Sequence, residues 1–212
     1  MKSRTKLSRK ERERLGHRQE ILSGALRLFA EKGFHSVSMQ EIAAVAEFST
    51  GTLYNFFASK EDLFFEVLVA CAEEAFGMIL PTLEGPNNEQ SKLACFIQIH
   101  ERVAREQSDM VRLYLLESHG RYVPGGRVEA KKKEFDERVT SQLTEVIAAG
   151  VRKGLFNDID PLIATKCLLA TLESMVLADN DLATGDLKGD LQKVEALFFR
   201  GLLKTSGGKR DA

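Results

Sequence analysis

Apolar side chains recur every three to four residues along most of the chain, which is the period of a helix that buries one face. Residues that favour helices abound, and proline is scarce, with only 4 in 212 residues. The pattern therefore predicts an all-α protein of about nine helices. The predicted helices cover approximately residues 21–32, 38–46, 49–56, 59–80, 89–105, 108–118, 128–153, 162–178 and 191–204.

Three closely spaced helix starts stand out in the N-terminal third. Ser38 is followed three residues later by Glu41, the arrangement of a capping box in which each side chain bonds the other residue's backbone N–H. Ser49 opens a second short helix, and Ser59 opens a third with acidic residues in its first turn. Two short helices joined by a tight turn form a helix-turn-helix, whose second helix enters the major groove of DNA. We therefore predict a helix-turn-helix over residues 38–57.

The second of these helices carries short and polar side chains that suit contact with DNA. Hydroxyl and amide groups bond base edges or phosphate oxygens, and glycine lets the backbone approach closely. The alternative is a polar face on an ordinary surface helix. The residues predicted to lie at or near bases are Gln40, Thr50, Gly51 and Asn55. Those predicted to bind phosphate are Ser38, Thr52, Tyr54 and Lys60, the last beside a helix N-terminus.

Three motifs follow one another in a characteristic order. The pattern I-x-x-x-A-x-x-L-F-A-E-K-G-F begins at Ile21, S-M-Q-E-I-A-x-x-A at Ser38, and S-x-G-T-L-Y-N-F-F-x-S-K-E-D-L at Ser49. This order resembles the tetracycline-repressor (TetR) family of transcriptional regulators over residues 15–75. The resemblance implies a DNA-binding domain over residues 15–75 and a ligand-binding and dimerisation domain over residues 76–205.

One residue in the turn departs from the family pattern. The turn usually reads A-G-V-S, whereas here it reads Ala46-Glu47-Phe48-Ser49. Glycine suits a turn position with positive φ, and glutamate there costs about 1 kcal/mol. We therefore expect Glu47 to hold a strained backbone.

Charge is distributed unevenly along the chain. Residues 1–60 hold 11 Lys or Arg and 6 Asp or Glu, a balance of +5, and residues 61–212 have a balance of −6. A basic end on an acidic body is typical of a protein that presents one end to a polyanion. We predict that residues 1–14 form a basic flexible arm that orders on DNA, and that Arg14 and Arg18 contribute to DNA binding. The alternative is a solvated tail, which we also expect for residues 206–212.

The resemblance implies that a small molecule binds in the C-terminal domain and alters DNA binding. Apolar and aromatic residues favour a hydrophobic or amphipathic effector, with His100 as a polar anchor. The alternative is that these side chains are plain core. The predicted pocket residues are Phe76, Leu80, Phe96, His100, Tyr114, Phe135 and Leu143.

The last two predicted helices suit a dimer interface. Residues 162–178 are apolar nearly all round, so more than one side of this helix must be covered. The following helix has a single apolar stripe, and two such pairs form a four-helix interface across a two-fold axis. The alternative is a closed monomeric core. The predicted interface residues are Leu168, Leu172, Met175, Val194, Leu197, Phe198 and Leu202.

Other classes find little support. No hydrolase, nucleotide-binding or metalloprotease motif occurs, the histidines share no ligand spacing, and no C-x-x-C links the 3 cysteines. The sequence contains no run of 18 apolar residues, so it predicts no membrane span. We therefore expect a cytoplasmic, homodimeric, ligand-responsive repressor that binds a palindromic double-stranded DNA operator, without a cofactor, a metal or catalysis. The alternatives are a transcriptional activator and a helical ligand-binding module that does not bind DNA.

Overall fold

The computed structural model describes residues 8–113, 127–182 and 186–203. These residues form nine helices and one isolated antiparallel bridge between Phe156 and Leu203, which confirms the all-α prediction. None of the helices in these three ranges is long and apolar enough to cross a membrane. The helices are α1 (Arg9–Lys32), α2 (Met39–Val45), α3 (Thr50–Tyr54), α4 (Lys60–Leu83), α5 (Glu89–Glu106), α6 (108–113), α7 (Arg127–Arg152), α8 (Pro161–Leu182) and α9 (Leu187–Leu202).

The chain divides into two compact units, and α4 contributes residues to both. The first unit contains the described residues up to Cys71, together with residues 112–113 and 127–129. The second contains Ala72–Val111 and the described residues from Ala130 onward. The predicted domain boundary between residues 75 and 76 falls in the same helix, close to this division.

Aromatic packing holds the first unit together. The Phe64 ring of α4 lies edge-on against Phe29 and Phe34, with ring centroids 5.1 Å and 4.9 Å away. All three side chains are buried. Gly24 of α1 is also buried, and it lies where the end of α2 packs on α1, since a Cβ built there would be in ordinary contact with the Ala46 Cβ at 3.5 Å.

Helices α4, α5, α7, α8 and α9 supply the core of the second unit. Its centre is a large apolar cluster that includes Leu93, Phe96, Ile97 and Leu143, all fully buried. Phe76 of α4 stacks on Phe135 of α7, with centroids 4.5 Å apart.

Asn157 joins the segment after α7 to the end of α9. Its backbone N–H donates to the Leu202 carbonyl at 2.7 Å. Its side-chain amide donates to the carbonyls of Gly201 at 3.0 Å and Leu203 at 3.2 Å. The last carbonyls of α9, which no helical N–H can reach, are satisfied in this way.

The predicted flexible arm over residues 1–14 is wrong for its second half. Helix α1 begins at Arg9, because Ser8 and Glu11 form a capping box in which Glu11 N–H donates to Ser8 Oγ at 3.3 Å. Arg9 and Glu13 add an ion pair one turn apart. Residues 1–7 and the predicted tail at 206–212 lie outside the described residues.

Three other predicted helix ends also need correction. Helix α4 continues past residue 80 to Leu83, because an exposed proline in the last turn removes only one helical hydrogen bond. Helix α8 continues past residue 178 to Leu182. Helix α9 begins at Leu187 and not at 191, because the Asp186 carboxylate accepts from the Gly189 N–H at 3.0 Å and caps it.

Candidate nucleic-acid interface

Ser38 and Glu41 fix the start of α2. Glu41 N–H donates to Ser38 Oγ at 3.2 Å, and Ser38 N–H donates to Glu41 Oε2 at 2.8 Å, so the predicted capping box is confirmed. The Glu41 carboxylate accepts from this Ser38 N–H and, at 2.9 Å, from the Ser38 hydroxyl, and with Lys32 Nζ 3.1 Å away these contacts lower the pKa of Glu41 to about 2. The Ser38 side chain is therefore committed to capping, and it lies half-buried.

The turn between α2 and α3 contains the strained residue that the sequence predicts. Glu47 has φ 61°, and within the described residues it alone among non-glycine residues has positive φ. Phe48 N–H donates to the Ala43 carbonyl at 2.9 Å and closes the turn. The Phe48 ring lies edge-on to His17 of α1, with centroids 5.1 Å apart. The turn therefore keeps the expected helix-turn-helix path, with a glutamate where glycine is the easier residue.

Helix α3 presents a polar face. Ser49 caps it by accepting from the Thr52 N–H at 3.1 Å, as predicted, and the two hydroxyls lie 2.8 Å apart. Leu53 is fully buried. Gly51, Tyr54 and Asn55 are exposed, with Tyr54 showing 53% of its surface. Thr50 is half-buried, and Gln40 of α2 is exposed.

The three predicted cations differ in what surrounds them. Arg14 is exposed, and its guanidinium carbon lies 5.6 Å above the ring of Phe56, which follows α3. Arg18 is half-buried and paired with Glu66 of α4 at 2.6 Å. Lys60 donates to two backbone carbonyls. The partners of Arg18 and Lys60 are distant in sequence and carry no local motif, so sequence reasoning missed them.

Comparison with known proteins agrees with this geometry. The model for "Bacterial regulatory proteins, tetR family" matches residues 21–67, which contain α2, α3 and the turn between them. The HTH-type transcriptional regulator UidR of Escherichia coli (strain K12) is 28% identical over 192 residues, which cover 90% of this chain and 91% of UidR. The chain belongs to the TetR family.

Solved TetR-family structures share the fold of this chain. FadR from Bacillus subtilis, solved in complex with stearoyl-CoA, aligns with a TM-score of 0.72 and 20% identity over 86% of this chain and 98% of FadR. AibR, solved with isovaleryl coenzyme A and operator DNA, aligns with a TM-score of 0.70 and 20% identity over 87% of this chain and 99% of AibR. These relatives are regulators and not enzymes.

The predicted pocket residues of this TetR-family chain lie mainly in the core of the second unit. Leu80, Phe96, Phe135 and Leu143 are buried, and Phe76 is half-buried. Tyr114 lies outside the described residues. The half-buried His100 donates from Nδ1 to the Phe96 carbonyl at 2.8 Å, and burial lowers its pKa, which favours the neutral ring. The pocket itself stays a prediction.

The predicted dimer residues divide into buried, half-buried and exposed groups. Leu168, Leu172 and Leu202 are already buried within one chain, whereas Leu197 exposes 73% of its surface. The exposed side of α8 and α9 forms an open apolar groove that includes Val194, Leu197, Phe198 and Leu202. Met175, Val194 and Phe198 are half-buried. Leu162 and Ile163 on α8 are also exposed, although the apolar pattern of residues 162–178 does not distinguish them from the buried residues.

Proposed function

We propose that this protein is a homodimeric transcriptional repressor that binds operator DNA through α3 and leaves it when a small effector binds the second unit. One observation above all supports the proposed DNA binding. A capped helix-turn-helix buries Leu53 while it exposes Gly51, Tyr54 and Asn55 on one face. A surface helix with no partner needs no such arrangement of glycine, hydroxyls and amide. We place the protein in the cytoplasm, where its DNA would be found.

The groove on α8 and α9 supports the homodimer. Leu197 is a large apolar side chain left open to water, and it lines the same groove as Val194 and Phe198. An apolar patch of this kind marks an interaction surface. Two copies joined by a two-fold axis would present two α3 helices to half-sites about 34–36 Å apart, one turn of DNA.

The effector that we propose is hydrophobic or amphipathic, and an acyl coenzyme A thioester is the first candidate. The core of the second unit consists of aliphatic and aromatic side chains, and the stacked pair Phe76 and Phe135 packs there. FadR and AibR were solved with acyl thioesters of coenzyme A, although at about 20% identity they support only the fold. Differential affinity for the two states would release the DNA.

Selection of bound sequences from a random DNA pool, at two salt concentrations, tests DNA binding. We expect a palindromic consensus whose half-sites lie one helical turn apart or a multiple of it, and affinity that falls with salt. Salt-sensitive binding without a consensus would indicate a non-specific binder. Absence of binding would favour the helical module that does not read DNA.

A thermal-shift panel tests the effector class. The panel holds acyl coenzyme A thioesters of increasing chain length, the matching free fatty acids, coenzyme A alone and small charged solutes. We expect the melting temperature to rise with thioesters, because a ligand that binds only the folded state stabilises it. Stabilisation by charged solutes alone would contradict the proposal.

A reporter gene placed behind the selected operator separates repressor from activator. Deletion of the gene for this protein should raise reporter expression if the protein represses. A fall in expression would show that it activates.

A further inference from the structure

Lys60 is surrounded by groups that hold its ammonium in place. Nζ donates to the carbonyls of Phe34 at 3.0 Å and Val37 at 2.9 Å, and it lies 4.3 Å from the centroid of the Phe34 ring. An ammonium has three donors, so two of them are used within the protein, and the face of the ring attracts the same charge. These contacts hold the ammonium against the protein's own backbone and leave one donor unused.

Arg18 is neutralised in a similar way. Its guanidinium lies 2.6 Å from Glu66 Oε2, and the two side chains expose 36% and 29% of their surface. The guanidinium carbon is also 5.6 Å above the ring of Phe57, a buried residue that follows α3. A carboxylate at this distance cancels most of the charge that a phosphate would meet.

The contacts of Lys60 and Arg18 share one property: each joins α4 to another part of the first unit. Phe34 and Val37 lie between α1 and α2, and Glu66 lies on α4 beyond Lys60. Between Lys60 and Glu66 on α4, Phe64 packs against the Phe29 and Phe34 rings. The beginning of α4 is thereby fixed to α1 and to the segment that leads into α2.

Arg14 provides a contrast on the same helix as Arg18. It is exposed, its contact is with the Phe56 ring at 5.6 Å, and no carboxylate pairs with it within the described residues. Its charge is available at the end of α3.

We propose that Arg18 and Lys60 are positioning residues that set the orientation of α3, whereas Arg14 binds a DNA phosphate. This inference rests on the proposed DNA binding and refines the interface. It reassigns Lys60 and Arg18, both of which the sequence marks as DNA contacts. Arg18 acts through Glu66, which repels DNA as an isolated charge and favours binding as the partner of Arg18. Lys60 acts through the Phe34 and Val37 carbonyls.

The variant Glu66→Gln tests this idea against simple electrostatics. Removal of an acidic charge from a DNA-binding unit should strengthen binding if charge alone matters. We expect the opposite, a several-fold weaker affinity, because Arg18 loses its partner. The matched control is Glu20→Gln, the same change at an exposed residue of α1, which should bind as tightly as the wild type or more tightly. The exchange Arg18→Glu with Glu66→Arg should restore affinity.

The salt dependence of binding gives a second, independent readout. Each phosphate contact contributes about 1 to the slope of log K against log salt concentration. Arg14→Ala should therefore lower the slope by about 1. Lys60→Met should weaken binding at every salt concentration and leave the slope unchanged. If Lys60→Met does not fold, Glu66→Gln and the charge exchange still decide the matter.

Two results would overturn the positioning role. The first is Glu66→Gln binding at least as tightly as Glu20→Gln. The second is a slope reduced by Lys60→Met as much as by Arg14→Ala, since that would make Lys60 a phosphate contact. Failure of the proposed function looks different, because the wild-type protein itself would then show no salt-dependent binding, and this would overturn the positioning role with it.

Discussion

Glu47 holds the left-handed conformation at φ 61° in the turn before α3, in a position where the family pattern has glycine. Its side chain is exposed, and its N–H donates to the Ala44 carbonyl at 3.3 Å. The strain is therefore in the backbone and comes from the Cβ. At this residue the sequence motif predicted the conformation correctly, because the turn path is shared and only the residue differs.

Glu47→Gly should stabilise the protein. Removal of the Cβ relieves roughly 1–2 kcal/mol, and the greater freedom of glycine in the unfolded chain offsets roughly 0.4–1 kcal/mol. Urea unfolding should show a gain of about 0.5–1 kcal/mol. Glu47→Ala is the matched control, because it removes the same charge and keeps the strain. An equal gain in both variants would show that charge, not backbone, is responsible.

Glu41 makes the start of α2 sensitive to acid. Its folded pKa of about 2 lies below the ordinary value of 4.5, so the carboxylate stabilises the fold fully above about pH 4.5, and this contribution is lost as the pH falls toward 2. Ser38→Ala should raise the pKa of Glu41 and flatten the pH dependence of stability in this window. NMR titration of the Glu41 carboxyl measures the shift, and Ser36→Ala should leave it unchanged. A wild-type pKa near 4.5 would contradict the assignment.

At the scale of elements, the beginning and end of each helix show what a sequence reveals. The rule that located Ser38 and Glu41 also applies to Ser8 and Glu11, yet the residues after Ser8 carry charge and no apolar stripe, so periodicity alone gave no helix there. Helix α9 begins early for a related reason, since Asp186 caps a first turn that contains Gly189, a residue with low helix propensity. Caps decide helix ends where periodicity is weak.

Gly150 and Gly77 offer an opposed pair of substitutions within helices. A Cβ at Gly150 of α7 would overlap the ring of Phe156, which is fully buried among neighbouring side chains. Gly150→Ala should therefore destabilise the protein by about 1–3 kcal/mol through overpacking. Gly77 of α4 is exposed, and nothing lies within 4 Å of a Cβ built there. Gly77→Ala should stabilise by about 0.5–1 kcal/mol.

Thermal or urea unfolding of the two variants measures both changes. The substitution is glycine to alanine in both variants. Changes of opposite sign in the free energy of unfolding would therefore come from the surroundings of each residue and not from the residue type. A stable Gly150→Ala variant would show that Phe156 has another position available to it.

At the scale of the whole molecule, the exposed apolar groove on α8 and α9 predicts association. Leu197→Lys should give a monomer and abolish tight operator binding, because one α3 helix then reaches a single half-site. The fold should be unaffected, since the Leu197 side chain is largely in water. Light scattering measures the mass, and Gln192→Glu on the exposed side of the same helix is the control. A dimeric Leu197→Lys variant would place the interface elsewhere.

The sequence predicted the candidate DNA interface and the dimer residues only in part. Family motifs located α2, α3 and their caps, because these depend on local hydrogen bonds that recur with the sequence. The roles of Arg18 and Lys60 were not predictable, because Glu66 and the Phe34 carbonyl meet them only after folding. Likewise, the apolar patterns of the last two helices include both Leu168 and Leu197, but only the fold distinguishes the buried residue from the exposed one.

The hydrogen bonds of Asn157 tie the segment before α8 to the C-terminal end of α9. They join Asn157 to the carbonyls of Gly201, Leu202 and Leu203. A terminal helix ordinarily frays from its free end, one residue at a time. Here the C-terminal end of α9 cannot fray until the hydrogen bonds of Asn157 break. The amides of α8 and α9 should therefore exchange through a single cooperative opening of both helices. Asn157→Ala would then release the end of α9 to exchange ahead of the rest.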